Sequence, residues 1–183
     1  MTSLPTLETT RLRIRPYNES DIAELLPIIG AREVAATTLR IAYPYTEQDA
    51  REFLELTKEP GKIWLAITLR RDGRQTGGIG LRVDEQHRHA ELGYWLGVSY
   101  WGQGYATEAA REMLRYGFDE LGLHRIFASH FRHNPSSGKI LRKLGMRHEG
   151  CQREHLLKWD QFVDSELYGI LRSEWKISTG GRE

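Results

Sequence analysis

The stretch Trp95-Leu96-Gly97-Val98-Ser99-Tyr100-Trp101-Gly102-Gln103-Gly104-Tyr105-Ala106-Thr107-Glu108-Ala109 decides how this chain is read. A strand-like run ends in a turn holding two glycines, and the turn opens directly into a helix-forming sequence. The amides that begin a helix have no partner within it, so such a junction aims several N–H groups at one point that suits an anionic phosphate. Gly102 and Gly104 leave room for close backbone approach. The pattern is not a Walker loop, since no Gly-Lys-Ser/Thr follows the second glycine. Nor is it a dinucleotide fingerprint, because Thr107 stands where the third glycine would be. Taken alone, the stretch also suits an ordinary turn before a helix, so the order of elements around it carries the argument.

Upstream, Arg11 to Arg15 alternates in polarity and reads as a half-buried strand ending at Pro16, after a loose start over Met1 to Thr6. Asn18 can cap a helix whose Ile22, Leu25, Leu26 and Ile29 share one face. Thr46 and Asp49 have capping-box spacing for a second helix carrying Phe53, Leu54 and Leu56, which ends before Pro60-Gly61. The period then changes to two: Ile63 to Leu69 and Gly78 to Val83 read as strands joined at Asp72-Gly73, and His89 to Val98 reads as a fourth strand. After Gly104, a stripe of Ala106, Ala109, Ala110, Met113 and Gly117 suits close packing on a sheet, with a stop near Gly122. Arg125 to Phe131 reads as a buried strand. Asn134-Pro135 starts a helix ending at Gly145. Strands over Met146 to Arg153 and Phe162 to Leu171 follow, and Ser178 to Glu183 reads as a frayed end.

Length and composition bound the rest. At 183 residues and 39% hydrophobic, one compact domain over 1–183 with a core from about 7 to 175 is expected. Lys plus Arg is 26 against 25 for Asp plus Glu, so no overall field draws nucleic acid or an anionic membrane. The single Cys151 excludes an internal disulfide and suits a cytoplasmic location; it reads as a buried small residue. No apolar run is long enough to span a membrane, and the start lacks the pattern of a secretory signal. His87 with His89, and His130 with His133, lack a third ligand at metal spacing, so no metal is expected.

The pieces in order resemble the GNAT acetyltransferases, in the branch of the ribosomal-protein acetyltransferases RimJ and RimL. The likeness runs from about Leu7 to Trp175. It is carried by Leu7-Glu8-Thr9-Thr10-Arg11-Leu12, Glu91-Leu92-Gly93-Tyr94-Trp95-Leu96, and Gly102-Gln103-Gly104-Tyr105-Ala106-Thr107-Glu108-Ala109. Leu123-His124-Arg125-Ile126, Asn134-x-x-Ser137, Leu141-x-Lys143-Leu144-Gly145-Met146 and Leu171-Arg172-Ser173-Glu174-Trp175 continue it. Trp101 departs from the broader family, which usually has Gln or Arg there. The resemblance implies a mixed α/β (α+β) fold: a mostly antiparallel sheet of six to seven strands, splayed between strands 4 and 5 and flanked by helices. It also implies acetyl-CoA as cosubstrate, with the pantetheine arm along Leu96, Gly97 and Val98. The pyrophosphate would lie on Gly102, Gln103, Gly104, Tyr105, Ala106 and Thr107, and Asn134 would reach the arm.

The implied reaction is direct attack of a neutral primary amine on the acetyl thioester. The resemblance puts Glu91 where many members carry a base and Ser137 near the sulfur. On residue type alone, Glu91 also reads as a solvated strand-edge carboxylate and Ser137 as a first-turn helix serine. Tyr94, Tyr100 and Tyr105 are further proton donors or cleft-lining rings. The acceptor expected is a protein N-terminal amine, with a polyamine, amino acid or aminoglycoside as rival. A non-catalytic acyl-CoA-binding regulatory module is the alternative outside enzymes. The late strands are open to pairing between copies, which makes a homodimer a further expectation.

Overall fold

Leu12 and Ile14 are fully buried while Arg11 and Arg13 face solvent, the alternation of a strand with one face on a core. They belong to β2 (Leu12–Pro16), which follows the two-residue β1 (Leu7–Glu8). The structure is a computed structural model that describes residues 4–179. A short 3-10 turn then leads into α1 (Ile22–Ile29), followed by α2 (Arg32–Ala36) and α3 (Glu47–Leu56). Three strands come next: β3 (Lys62–Leu69), β4 (Gln75–Asp84) and β5 (His89–Leu96). The chain finishes with α4 (Tyr105–Arg115), β6 (Arg125–Phe131), α5 (Pro135–Lys143), β7 (Arg147–Lys158), β8 (Gln161–Leu171) and α6 (Arg172–Thr179).

These strands form one eight-stranded sheet in the order β1-β2-β3-β4-β5-β6-β8-β7, antiparallel except where β5 meets β6. The parallel contact lasts only three rungs: His89 with Arg125, Ala90 with Ile126, and Glu91 with Phe127. Beyond Glu91 the strands separate, although β5 stays paired with β4 to Leu96 and β6 stays paired with β8 to Phe131. Because Leu7–Glu8 counts as the first strand, the expected splay lies between the fifth and sixth strands.

The sheet carries helices on both faces. On one, Ala109, Ala110 and Met113 of α4 are fully buried against Ile14, Ile67, Leu81 and Leu92, so the small-residue stripe lets the helix lie close. On the other, Ile22, Leu25 and Ile29 of α1 pack with Ala50 and Leu54 of α3, and Tyr17, Phe53 and Trp95 join them. The glycines of β4 and β5 make that second face flat. A Cβ on Gly80 would lie 2.3 Å from the Trp64 ring, and one on Gly93 would lie 3.2 Å from it. Gly78 gives the same clearance to the Tyr17 hydroxyl and the Trp95 indole.

Several expectations need correction. The fourth expected strand stops at Leu96, not Val98, because Val98–Tyr100 winds into a 3-10 turn. The sheet has eight strands rather than six or seven, and the short helices α2 and α6 are additional. The last hairpin is longer than expected: its turn is Trp159-Asp160, both at positive φ (49° and 59°), with no glycine to announce it. Cys151 is exposed on β7, not buried. Ser178 and Thr179, expected as frayed, are the last residues of α6; Gly180 to Glu183 lie outside the described residues, as do Met1 to Ser3.

One polar cluster ties the sheet edge to the start of α4. The Glu108 carboxylate accepts from the Thr9 hydroxyl at 2.6 Å, the Arg11 backbone N–H at 2.8 Å and the Arg11 Nε at 2.7 Å. Burial opposes ionisation of Glu108, but these donors and the nearby guanidinium together outweigh it and hold the carboxyl below its ordinary range. A depressed carboxyl pKa adds stability above the unfolded pKa, and that stability is lost as pH falls through the folded value. Glu108→Gln is therefore expected to lower unfolding free energy by about 1–2 kcal/mol at pH 7, allowing for the solvent around Arg11. Denaturant titrations at a series of acid pH values should show wild type and variant converging as Glu108 is protonated.

Candidate active site

The turn after β5 is braced by side chains that take up its carbonyls. The Trp101 indole N–H donates to the Leu96 carbonyl at 2.8 Å, Gln103 Nε2 donates to the Ser99 carbonyl at 2.8 Å, and Arg11 Nη1 donates to the Gln103 carbonyl at 3.0 Å. Gly102 and Gly104 sit at φ +74° and +82°, conformations that a residue with a Cβ rarely adopts. Gly104 is the N-cap of α4, and the helix ladder begins with the Glu108 N–H to the Gly104 carbonyl at 3.0 Å. The amides of Tyr105, Ala106 and Thr107 accordingly have no partner inside the helix, and the positive end of its dipole lies with them. The Arg11 guanidinium stands 4.6 Å over the Tyr105 ring with its charge paired to Glu108, which fixes the turn against the start of α4. With carbonyls tied back and the first amides of the helix left without helical partners, the turn fits a pyrophosphate.

A cavity of about 780 Å³ runs from this turn through the parting of β5 and β6 to the face covered by α1 and α3. Glu91 and Leu96 of β5, Gly102 and Gly104 of the turn, and Tyr105, Ala106 and Thr107 of α4 line it. Asn134 and Ser137 join them from the start of α5. Gly97, Val98 and Gln103 are not part of that lining. The Gly97 N–H donates to the Thr76 carbonyl at 2.9 Å, and the Gly97 and Val98 carbonyls accept from Tyr100 and Trp101 at 2.9 and 3.1 Å. The backbone that the resemblance assigns to the pantetheine arm is thus already partly used within the turn.

Glu91 belongs to the last rung before the strands part, on the same face of β5 as Gly93 and Trp95. Its carboxylate pairs with Arg82, directly opposite on β4. Tyr94 points to the other face, where its hydroxyl lies 2.7 Å from Ser137 Oγ. Burial pushes the Tyr94 phenol up to about 12, although the Ser137 contact draws it down, so it stays protonated at neutral pH. The Asn134 carboxamide oxygen accepts from the Ser137 N–H at 3.4 Å, a long helix cap that coexists with its place in the cavity wall. His130 also lines the cavity, with Nε2 buried beside Gly138 of α5.

Arg11 and Trp101 build the turn without a local pattern that marks them for it. Arg11 looked like one of three alternating strand arginines, and Trp101 like an odd aromatic in a glycine loop. A lone indole among glycines is the available signal, since its N–H can take up a carbonyl of the turn. No cluster of three or more His, Cys, Asp or Glu able to hold a metal ion occurs among the described residues. Among them, no helix is long and apolar enough to cross a membrane.

Comparison with known proteins agrees with this geometry. A family model described as an acetyltransferase (GNAT) domain matches residues 11–147. The chain is 30% identical to YoaA of Bacillus subtilis (strain 168), described as an uncharacterized N-acetyltransferase, with 92% of this chain and 97% of that one covered. It is 34% identical to YnaD of the same organism, similarly described, over 72% of this chain and 77% of that one. The [ribosomal protein uS5]-alanine N-acetyltransferase of Escherichia coli (strain K12) is 34% identical over 46% of this chain and 43% of its own length. Among solved structures, a GNAT-family acetyltransferase from Bacillus anthracis superposes with a TM-score of 0.84 at 27% identity, covering 93% of this chain and all of that one. At 19% identity, which speaks for the fold alone, spermidine N-acetyltransferase from Vibrio cholerae in complex with CoA and spermine gives 0.80, over 91% and 99% of the two chains. The chain belongs to the GNAT acetyltransferase family and is an acetyl-CoA-dependent N-acetyltransferase.

Proposed function

We propose that the acceptor is an α-amine, the amino terminus of a protein or peptide, and not a polycationic small molecule. The observation that carries this reading is the charge balance at the acceptor end of the cavity. Three carboxylates line it, Asp49, Glu52 and Glu91, against three cations, Arg40, Lys62 and Arg82. Each carboxylate already has a donor. Asp49 accepts from the Thr46 N–H at 2.7 Å in the α3 cap, Glu52 from Gln48 Nε2 at 2.8 Å, and Glu91 from Arg82. Because Lys62 also pairs with Glu59 outside the wall, the acceptor end carries a net charge of about one negative unit, a small attraction for a polyamine with several ammonium groups. The walls are aromatic instead, built by Tyr17, Tyr45, Phe53, Trp64 and Trp95, which suits the apolar part of a first residue.

Proton chemistry favours the same acceptor. An α-amine with a pKa of about 7.8 is neutral in roughly one molecule in seven at pH 7, a lysine amine in about one in 2,500. That difference is worth about 3.5 kcal/mol to the attack, so an α-amine needs only modest help from a base. Bound acetyl-CoA supplies the electrophile, an acetyl thioester. The amides of Gly102 to Thr107 receive its pyrophosphate, while Leu96, Gly97, Val98 and Asn134 flank the arm. Glu91 takes the amine proton through water. As the nitrogen–carbon bond forms and the carbon–sulfur bond breaks, the Ser137 hydroxyl donates to the departing thiolate. Tyr94 orients it: a phenol that stays protonated donates to Ser137 Oγ and turns the serine hydrogen toward the sulfur.

Thiol release from acetyl-CoA, followed against N-terminal peptides, polyamines, amino acids and aminoglycosides, tests the acceptor. Turnover with peptides and none with spermidine is expected; turnover with spermidine alone overturns the α-amine. Coenzyme binding without release for any amine would instead favour a regulatory module. Glu91→Gln is expected to lower turnover at neutral pH and recover partly at high pH, and an unchanged pH–rate profile removes Glu91 as base. Ser137→Ala and Tyr94→Phe should each lower kcat roughly ten- to hundredfold with little change in KM for acetyl-CoA. If the two hydroxyls act as one unit, the double variant should lose little more than either single one.

A further inference from the structure

The acceptor end of the cavity is walled by a loop that makes almost no hydrogen bonds of its own. Residues 39–45 lie between α2 and α3, and Leu39, Arg40, Ile41 and Ala42 face the cavity. Among the described residues, no backbone–backbone hydrogen bond involves any of the seven. What their backbone receives comes from the far end of the chain. Lys158 Nζ, at the tip of the β7–β8 hairpin, donates to the Leu39 carbonyl at 3.3 Å and to the Ile41 carbonyl at 3.0 Å.

The next residue adds a ring to the same place. Trp159 sits at positive φ in the hairpin turn, with the Arg32 guanidinium of α2 5.1 Å from its ring centroid and the Tyr43 ring 6.3 Å away. Leu156, two residues before Lys158, lines the same end of the cavity. A loop without internal bonds has many conformations of similar energy, so the contacts that select one determine the shape of the wall.

We propose that the β7–β8 hairpin is a strut that sets the acceptor wall, with Lys158 as a positioning residue that tunes affinity for the amine. Lys158 touches neither the reacting atoms nor the coenzyme end of the cavity. Its two carbonyl partners flank Arg40, so it also keeps the Arg40–Ile41 bond from extending into a protease. This proposal rests on the reading that the amine enters from the face covered by α1 and α3; it does not depend on which amine.

The test compares wild type with Lys158→Met, which keeps the length of the side chain and removes its donors. Under native conditions, trypsin should cut after Arg40 at least about tenfold faster in the variant, as expected when charge-assisted hydrogen bonds to a local loop are lost. Apart from the Lys158 site, which the substitution itself removes, other sites and the thermal midpoint should be nearly unchanged. KM for the amine identified as acceptor, of whatever class, should rise by about the same factor, with KM for acetyl-CoA unchanged. Wild-type cleavage at Arg40 would overturn the strut. Faster cleavage with an unchanged amine KM would overturn its role in acceptor affinity. Turnover with spermidine alone would refute the α-amine acceptor and leave the proteolysis readout standing. If Lys158→Met does not fold, Trp159→Leu, which removes the ring from Arg32 and Tyr43, carries the same two readouts.

Discussion

The separation of β5 from β6 after the Glu91–Phe127 rung is the constraint on which the rest of the molecule depends. Each strand is fully paired on its outer side, β5 with β4 over eight residues and β6 with β8 over seven. Their inner edges share three rungs and then diverge. Unpaired backbone groups inside a sheet are costly unless something else bonds them, so a gap between two otherwise paired strands is a place for water or a ligand. The gap also joins the two faces of the sheet. Glu91 and Trp95 look toward α1 and α3 while Tyr94 looks toward α5, so groups from opposite faces meet across one strand.

The turn entering α4 depends on the same strand. β5 has to stop at Leu96 for the chain to reach the helix start, and the Trp101 indole on the Leu96 carbonyl stabilises that stop. Arg11 then ties the turn to α4: it bonds the Gln103 carbonyl, stacks over Tyr105 and pairs with Glu108. The amides at the helix start are thereby held in position before any anion arrives, and preorganisation of this kind lowers the entropy lost on binding.

The opposite face follows a different logic. Gly78, Gly80 and Gly93 leave shallow space on the sheet, and aromatic rings from β3, β5 and the segment after β2 fill it. Against this rigid floor stands a wall that is only lightly bonded, the loop before α3, whose position is referred to a hairpin more than a hundred residues away in sequence.

Much of this was legible in the residues. The two-residue period over Ile63 to Val83, the capping spacing at Thr46, the alanine stripe after Gly104 and the Asn134-Pro135 start of α5 are local signals, governed by steric and hydrogen-bond rules within a few residues. They sufficed to identify the order of elements, the glycine turn and the family it resembles. The ends of the chain were less legible. Edge strand β7 is polar and almost wholly exposed, so no alternation marked its full length, and the Trp159-Asp160 turn lacks the glycine that usually signals a tight hairpin. What no local pattern could reveal were partnerships across long separations: Glu91 with Arg82, Tyr94 with Ser137, Trp101 with Leu96, Lys158 with the loop at Leu39. By itself the sequence determined which groups were available and on which element each would lie. Only the tertiary structure decided which of them met, because a hydrogen bond depends on distance and angle in space and not on separation along the chain.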